Sequence, residues 1–193
     1  MKNIVIIFPG LGYTADKPLL YYGLKVACEC GYREYRKVSF APLDKSNIRG
    51  NETAMMAAFD RLYKQAEEQL ADIDWQMYDD VLFLSKSIGT IIACAYAAEH
   101  GIKNVKHVLY TPLKYTYRYG AQKAIAFIGT ADAWSDYREV VALSEKAGVP
   151  IRVFENCNHS LEAADDAEGN IGRLAEIMKT TKEFTSHPYG FPE

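Results

Sequence analysis

The sequence predicts an α/β fold with a doubly wound, mostly parallel sheet of about six strands and helices on both faces. Short apolar runs alternate along the chain with longer segments whose apolar residues recur at helical spacing. Several runs are apolar throughout, which is typical of strands buried on both faces of a parallel sheet. No repeat or linker divides the 193 residues, so residues 1–193 form one predicted domain, with a tail from about residue 187.

These patterns place each element in order. The predicted strands are Asn3–Phe8, Tyr35–Phe40, Val81–Leu84, Val105–Tyr110, Ala124–Ile128 and Pro150–Phe154. The predicted helices are Leu19–Cys30, Glu52–Ala71, Ile88–Glu99, Asp136–Lys146 and about Asp165–Phe184. Asp16 offers an N-cap for the first helix, and Pro18 lies near its first helical position.

Composition and charge indicate which kinds of partner and cellular location to expect. Hydrophobic content of 49%, net charge −3 and pI about 5.9 give no basic footprint for a nucleic-acid partner. The first apolar run ends at Pro9 and is too short for a signal peptide, and no run reaches the length of a membrane span. The four cysteines lack zinc spacing and are expected to be free thiols. We therefore expect a cytoplasmic protein without metal or cofactor; the sequence leaves its oligomeric state open.

The third predicted strand runs directly into a helix over Ser85-Lys86-Ser87-Ile88-Gly89. This S-x-S-x-G turn resembles the nucleophile elbow of the α/β-hydrolases, normally G-x-S-x-G, in which a strained backbone exposes the middle serine. The flanking positions must be small because strand and helix backbones pass close together. Ser85 departs from the usual glycine but is small. An ordinary strand–helix turn with two serines is the alternative interpretation.

Two further strand ends carry the other parts of a triad. Asp132 closes a G-x-x-D string after the fifth strand and matches the acid of that family, with Asp136 as a rival that a helix would instead use as its cap. His159, in an H-S-L-E string after the sixth strand, resembles the family's catalytic-histidine loop. The order Ser87, Asp132, His159 is the family's order of nucleophile, acid and base.

The loop after the first strand is rich in glycine. By the resemblance, it supplies half of an oxyanion hole through a backbone N–H of Leu11 or Gly12, and the N–H of Ile88 supplies the other half. A phosphate-binding loop is the alternative. It is disfavoured because Ala15 stands where a dinucleotide motif has its third glycine, and no Walker lysine follows.

The resemblance spans nearly the whole chain and implies a serine hydrolase acting on a small acyl substrate, an ester or thioester, through an acyl-enzyme. An acyltransferase or peptidase with the same triad is one alternative. A non-catalytic binding module on the same fold is another, because fold alone does not establish activity.

Only ten residues, 111–120, lie where larger relatives insert a helical lid. A minimal lid or none is therefore predicted, with an open site. Tyr13, Tyr115 and Tyr117 are candidate substrate contacts, because tyrosine has an apolar body and a polar tip. The alternative is that this tyrosine-rich loop only covers a sheet edge.

Three basic residues lie near these motifs. Lys114 and Arg118, in the tyrosine-rich loop, are candidates to attract an anionic substrate group. Lys86 is an unusual choice beside the predicted nucleophile, although side chains next to that serine can point outward.

Overall fold

A computed structural model describes residues 2–187 and contains one six-stranded sheet. The strands are β1 (Asn3–Phe8), β2 (Glu34–Lys37), β3 (Asp80–Lys86), β4 (Val105–Tyr110), β5 (Ala124–Gly129) and β6 (Ile151–Phe154). Their order is β2-β1-β3-β4-β5-β6, and every neighbouring pair is parallel. The predicted parallel sheet is therefore confirmed. The predicted tail lies outside the described residues from Pro188 onward.

Five helices cover the sheet. They are α1 (Pro18–Glu29), α2 (Glu52–Leu70), α3 (Ile88–Glu99), α4 (Tyr137–Lys146) and α5 (Ala167–Ser186). Helices α1 and α5 pack together on one face, and α2 and α3 pack together on the other. Every residue of α3 from Ile88 to Ala97 is buried, as its almost wholly apolar sequence predicts. Among the described residues, no helix has the length and apolarity needed to cross a membrane.

Several boundaries differ from the sequence prediction by a few residues, and two of the differences have a clear physical reason. Strand β2 is shorter than predicted and wholly exposed, because it is an edge strand that pairs only with β1. The residue before α1 is Lys17, which makes no side-chain cap. Asp16 instead forms an exposed ion pair with Lys37, their charged atoms 2.9 Å apart.

The topology determines where a site can form. Because all strands are parallel, the loops after β1, β3, β5 and β6 emerge at one edge of the sheet. The strand order reverses between β1 and β3, and ligands of open α/β sheets bind beyond such a reversal. The predicted serine, aspartate, histidine and glycine loop all lie at this edge.

Candidate active site

Ser87 occupies a strained turn between β3 and α3. Its φ of 57° and ψ of −126° lie outside the regions that non-glycine residues ordinarily adopt. The small position two residues later is also explained, because a Cβ at Gly89 would collide with the carbonyl oxygens of Phe8 and Pro9. The sharp turn predicted from the S-x-S-x-G string is therefore present.

The other serine of the turn faces a different direction. Ser85 is fully buried, and its hydroxyl donates a hydrogen bond to the carbonyl oxygen of Val108 in β4 at 3.2 Å. Ser87 lines a cavity of about 200 Å³ at the edge of the sheet, and Ser85 does not. Of the two serines of the turn, only Ser87 therefore reaches the cavity.

The close packing at Gly89 gives a stability prediction. We expect Gly89→Ala to lower the free energy of unfolding by about 3 kcal/mol or more, because rigid backbone must shift to admit the methyl group. Gly172→Ala in α5 is the control, since a Cβ there meets nothing within 4 Å. It should raise stability by about 0.5–1 kcal/mol, as alanine favours helix. Urea unfolding measures both, and equal effects would contradict the packing argument.

His159 joins the predicted nucleophile to the predicted acid. Its Nε2 lies 2.8 Å from the Ser87 Oγ, and its Nδ1 lies 2.7 Å and 2.8 Å from the two carboxylate oxygens of Asp132. A carboxylate can only accept, so Nδ1 carries the hydrogen and donates it to Asp132. Nε2 is then free to accept the hydrogen bond of the Ser87 hydroxyl. The Asp132 side chain is fully buried.

Backbone packing brings the acid and histidine loops together. A Cβ at Gly129, the last residue of β5, would collide with the carbonyl group of Cys157. The N–H of Ala131 donates to the same Cys157 oxygen at 3.0 Å. The hydroxyl of Thr111 donates to the backbone oxygen of His159 at 3.3 Å. The positions of Asp132 and His159 are thus coupled through main-chain contacts.

Trp134 supports both residues, and the sequence analysis did not single it out. Its backbone N–H donates to Asp132 at 2.8 Å, and its ring stacks on His159 with centroids 5.7 Å apart. The only signal in the sequence was an aspartate two residues before it, a spacing that favours a local turn. The rival acid, Asp136, instead accepts a hydrogen bond from the N–H of Arg138 at 3.0 Å and caps α4, as its position predicts.

The environment keeps the histidine neutral. Burial lowers the pKa of His159 below its ordinary value, and the nearby Lys86 cation acts in the same direction. The hydrogen bond to Asp132 and the charge of that carboxylate oppose this shift. Since only the neutral ring can accept the serine proton, the lowered pKa keeps the base available to a lower pH than usual.

The glycine loop presents unpaired amides to the cavity. Gly10 and Tyr13 exchange backbone hydrogen bonds of 3.1 Å and 3.3 Å, which closes a tight turn between them. Within residues 2–187, the N–H groups of Leu11 and Gly12 have no hydrogen-bond partner, and Ile88 begins α3 with its N–H outside the helical ladder. All three residues line the cavity with Ser87.

The fold resembles those of known hydrolases. A dienelactone hydrolase from Anabaena variabilis has a TM-score of 0.62 at 18% identity, covering 98% of this chain and 88% of that one. A serine hydrolase homologue from Coxiella burnetii has a TM-score of 0.60 at 16% identity, covering 94% and 83%. A serine hydrolase without lid from Xanthomonas campestris has a TM-score of 0.60 at 10% identity, covering 93% and 79%. This chain has the α/β-hydrolase fold. No protein-family model matches the sequence, and no curated protein does.

The candidate site of this α/β-hydrolase fold has almost no lid. Between β4 and β5 the chain forms only a short 3₁₀ helix, Lys114–Tyr119, and no multi-helix cap. The prediction of a minimal lid agrees with this connection.

The structure does not bring Tyr115 and Tyr117 to Ser87. Tyr13 lines the cavity at Ser87, whereas Tyr115 and Tyr117 line a surface cavity beside α4. Tyr115 also lines a third cavity, which shares Met55 and Trp134 with the cavity at Ser87. The 3₁₀ helix packs against α3 and α4. Neither tyrosine lines the cavity at Ser87 itself, so their contact with a substrate stays a prediction.

The two basic residues of the same loop are already paired. Lys114 lies 3.4 Å from Glu139, and Arg118 lies 2.9 Å from Glu52, measured between charged atoms. The loop is thus neutralised by its own neighbours rather than prepared for a substrate anion.

Proposed function

We propose that this protein is a serine hydrolase that cleaves small carboxylic esters or thioesters. The observation that supports this best is the position of His159, in hydrogen-bond contact with Ser87 on one side and Asp132 on the other. A serine hydroxyl is a weak nucleophile until an adjacent base removes its proton. The three residues together supply the nucleophile, the base and the group that orients the base.

In the first half of the reaction, Ser87 Oγ attacks the substrate carbonyl carbon while His159 Nε2 takes the hydroxyl proton. The carbonyl oxygen becomes an oxyanion, and we assign its stabilisation to the N–H groups near Leu11 and at Ile88, which line the same cavity. Collapse of this intermediate breaks the bond to the leaving alcohol or thiol, which receives the proton from His159. The acyl group remains on Ser87.

In the second half, water attacks the acyl-enzyme. His159 accepts the water proton, a second oxyanion forms in the same place, and Ser87 leaves with the proton that His159 returns. Asp132 keeps its negative charge and stabilises the imidazolium in both halves. The products are a carboxylic acid and an alcohol or thiol, so no external reactant besides water is needed.

The size of the cavity supports a small substrate. Its volume of about 200 Å³ is below the range usual for drug-sized ligands, about 300–1,000 Å³. The names of the similar structures, a dienelactone hydrolase and serine hydrolases, are consistent with this chemistry in those proteins.

Chain-length selectivity tests this proposal. We expect p-nitrophenyl acetate or butyrate to be hydrolysed with a higher kcat/KM than p-nitrophenyl dodecanoate, because the cavity holds only a short acyl chain. Release of nitrophenol, corrected for the rate with urea-unfolded protein, measures this. Preference for the dodecanoate would contradict the small site, and no hydrolysis of any of these esters would contradict the proposed function.

A further inference from the structure

A lysine lies in the cavity beside the nucleophile. Lys86 is the last residue of β3 and is only 1% exposed, yet it is one of the residues that line the cavity at Ser87. Its side chain does not point outward to solvent, because β3 is central and the elements on both of its faces bury its side chains. The ammonium is therefore enclosed near the reacting groups.

Within residues 2–187, the enclosed ammonium makes no hydrogen bond and no ion pair at contact distance, although the charge of Asp132 acts on it. Its Nζ lies 5.0 Å from the centroid of the Tyr13 ring, a cation–π distance. The Tyr13 hydroxyl accepts a hydrogen bond from the N–H of Leu19 at 3.0 Å, which holds the ring. The nearby carboxylate of Asp132 has both of its oxygens bonded to His159.

A second buried lysine shows what full pairing looks like in this protein. Lys106 is also 1% exposed, and its Nζ lies 3.0 Å from a carboxylate oxygen of Asp80. The same ammonium donates to the backbone oxygens of Thr185 and His187 at 3.0 Å and 3.2 Å. The buried Lys106 ammonium thus contacts a carboxylate and two carbonyl oxygens, whereas the Lys86 ammonium contacts an aromatic ring.

An unpaired buried cation is unfavourable. Burial lowers the pKa of Lys86 to about 7, while the charge of Asp132 acts to raise it. An anion that entered the cavity would find this cation, and none of the residues lining the cavity is acidic. Pairing would recover part of the cost of burying the charge.

We propose that the natural substrate carries a carboxylate close to its scissile carbonyl, and that Lys86 binds that carboxylate. This inference rests on the proposed hydrolase function and narrows its substrate class. One cation and a cavity of about 200 Å³ suit a single small anionic group. The basic residues of the tyrosine-rich loop are already paired with Glu52 and Glu139, and Lys86 is the lysine that lines the cavity at Ser87.

Two esters of nearly equal shape test the charge alone. Monomethyl succinate carries the carboxylate, and methyl 4-methylpentanoate carries an isopropyl group in its place. We expect the wild-type protein to release methanol from the anionic ester with the higher kcat/KM. Lys86→Met keeps the length of the side chain and removes its charge, and it should lower the ratio of the two kcat/KM values by about tenfold or more.

A second cation beside the glycine loop provides the control. A Cβ at Gly12 would collide with Lys45 Nζ, so that ammonium also lies close to the predicted oxyanion site. Lys45→Met should leave the ratio within about twofold of wild type. Loss of the anionic preference in Lys45→Met, with Lys86→Met unchanged, would overturn the assignment to Lys86.

The wild-type protein gives an independent test, which does not depend on the folding of a variant. The kcat/KM for the anionic ester divided by that for the neutral ester should fall by about tenfold between pH 6 and pH 9, because Lys86 loses its charge in that range. The pH dependence of kcat/KM reports the groups that titrate in the free enzyme. The groups that interact with Lys86 are Tyr13, Asp132 and His159. Burial raises the pKa of Tyr13 to about 12, so it stays neutral, and titration of the triad affects both esters alike and cancels.

The outcomes separate this inference from the proposed function. Hydrolysis of the neutral ester with a ratio near one, insensitive to pH and to Lys86→Met, would overturn the inference and leave a serine hydrolase. Hydrolysis of neither methyl ester by protein that cleaves p-nitrophenyl acetate would overturn the inference alone, and hydrolysis of none of these esters would overturn both. A ratio above one that falls with Lys86→Met, or with rising pH in the wild type, supports the inference.

Discussion

Replacing Ser87 by alanine is expected to lower kcat for ester hydrolysis by at least about 10⁴-fold. The variant keeps the cavity and the glycine loop but removes the atom that forms the acyl-enzyme. The fold should persist, because alanine is smaller and the strained turn is held by packing around Gly89. Steady-state kinetics with p-nitrophenyl butyrate measure the loss, and circular dichroism checks the fold.

Ser85→Ala is the matched control two residues away in the same turn. It removes the hydrogen bond to Val108, which should cost about 1 kcal/mol of stability, while kcat stays within a few-fold of wild type. Loss of activity in Ser85→Ala and its retention in Ser87→Ala would show that the wrong serine has been assigned.

Asp132→Asn is expected to lower kcat by at least about a hundredfold. The carboxylate is buried and accepts the Nδ1 hydrogen of His159, which leaves Nε2 free for the serine proton. An asparagine amide can donate to Nδ1 instead, and the ring then carries its hydrogen on Nε2, where it cannot act as the base. Because shape is almost unchanged, stability should change little relative to the kinetic loss.

Asp136→Asn is the control for this second substitution. Asparagine caps helices about as well as aspartate, so α4 should lose at most about 1 kcal/mol and kcat should not change. If the kinetic losses of the two variants came out reversed, Asp136 would be the acid.

Several residues of the candidate site could be predicted from the sequence, because each of them directly follows a strand. Ser87, Asp132 and His159 each follow a strand whose apolar run is clear, and parallel strands bring their carboxyl ends to one edge. Gly89 could also be anticipated, since a turn from strand to helix brings backbones together. The positions of these residues could be predicted from the local sequence pattern and from their order along the chain.

Other contacts depend on packing between distant segments, and the sequence did not predict them. Trp134 reaches His159 only because the loops after β5 and β6 pack together at Gly129. Tyr115 and Tyr117 were expected at the site because tyrosine suits a pocket rim, yet the 3₁₀ helix packs them toward α4. The burial of Lys86 was not predicted either, because charge alone does not reveal that a central strand buries it.

Covalent labelling tests the central claim most directly. A fluorophosphonate reacts with a serine only when a base activates it, so the native protein should acquire a single adduct, and peptide mapping by mass spectrometry should place it on Ser87 Oγ. The adduct should disappear in Ser87→Ala, in His159→Gln and in protein unfolded with urea. An adduct on Ser85, or no adduct on native protein that is correctly folded, would contradict the proposed Ser87–His159–Asp132 triad.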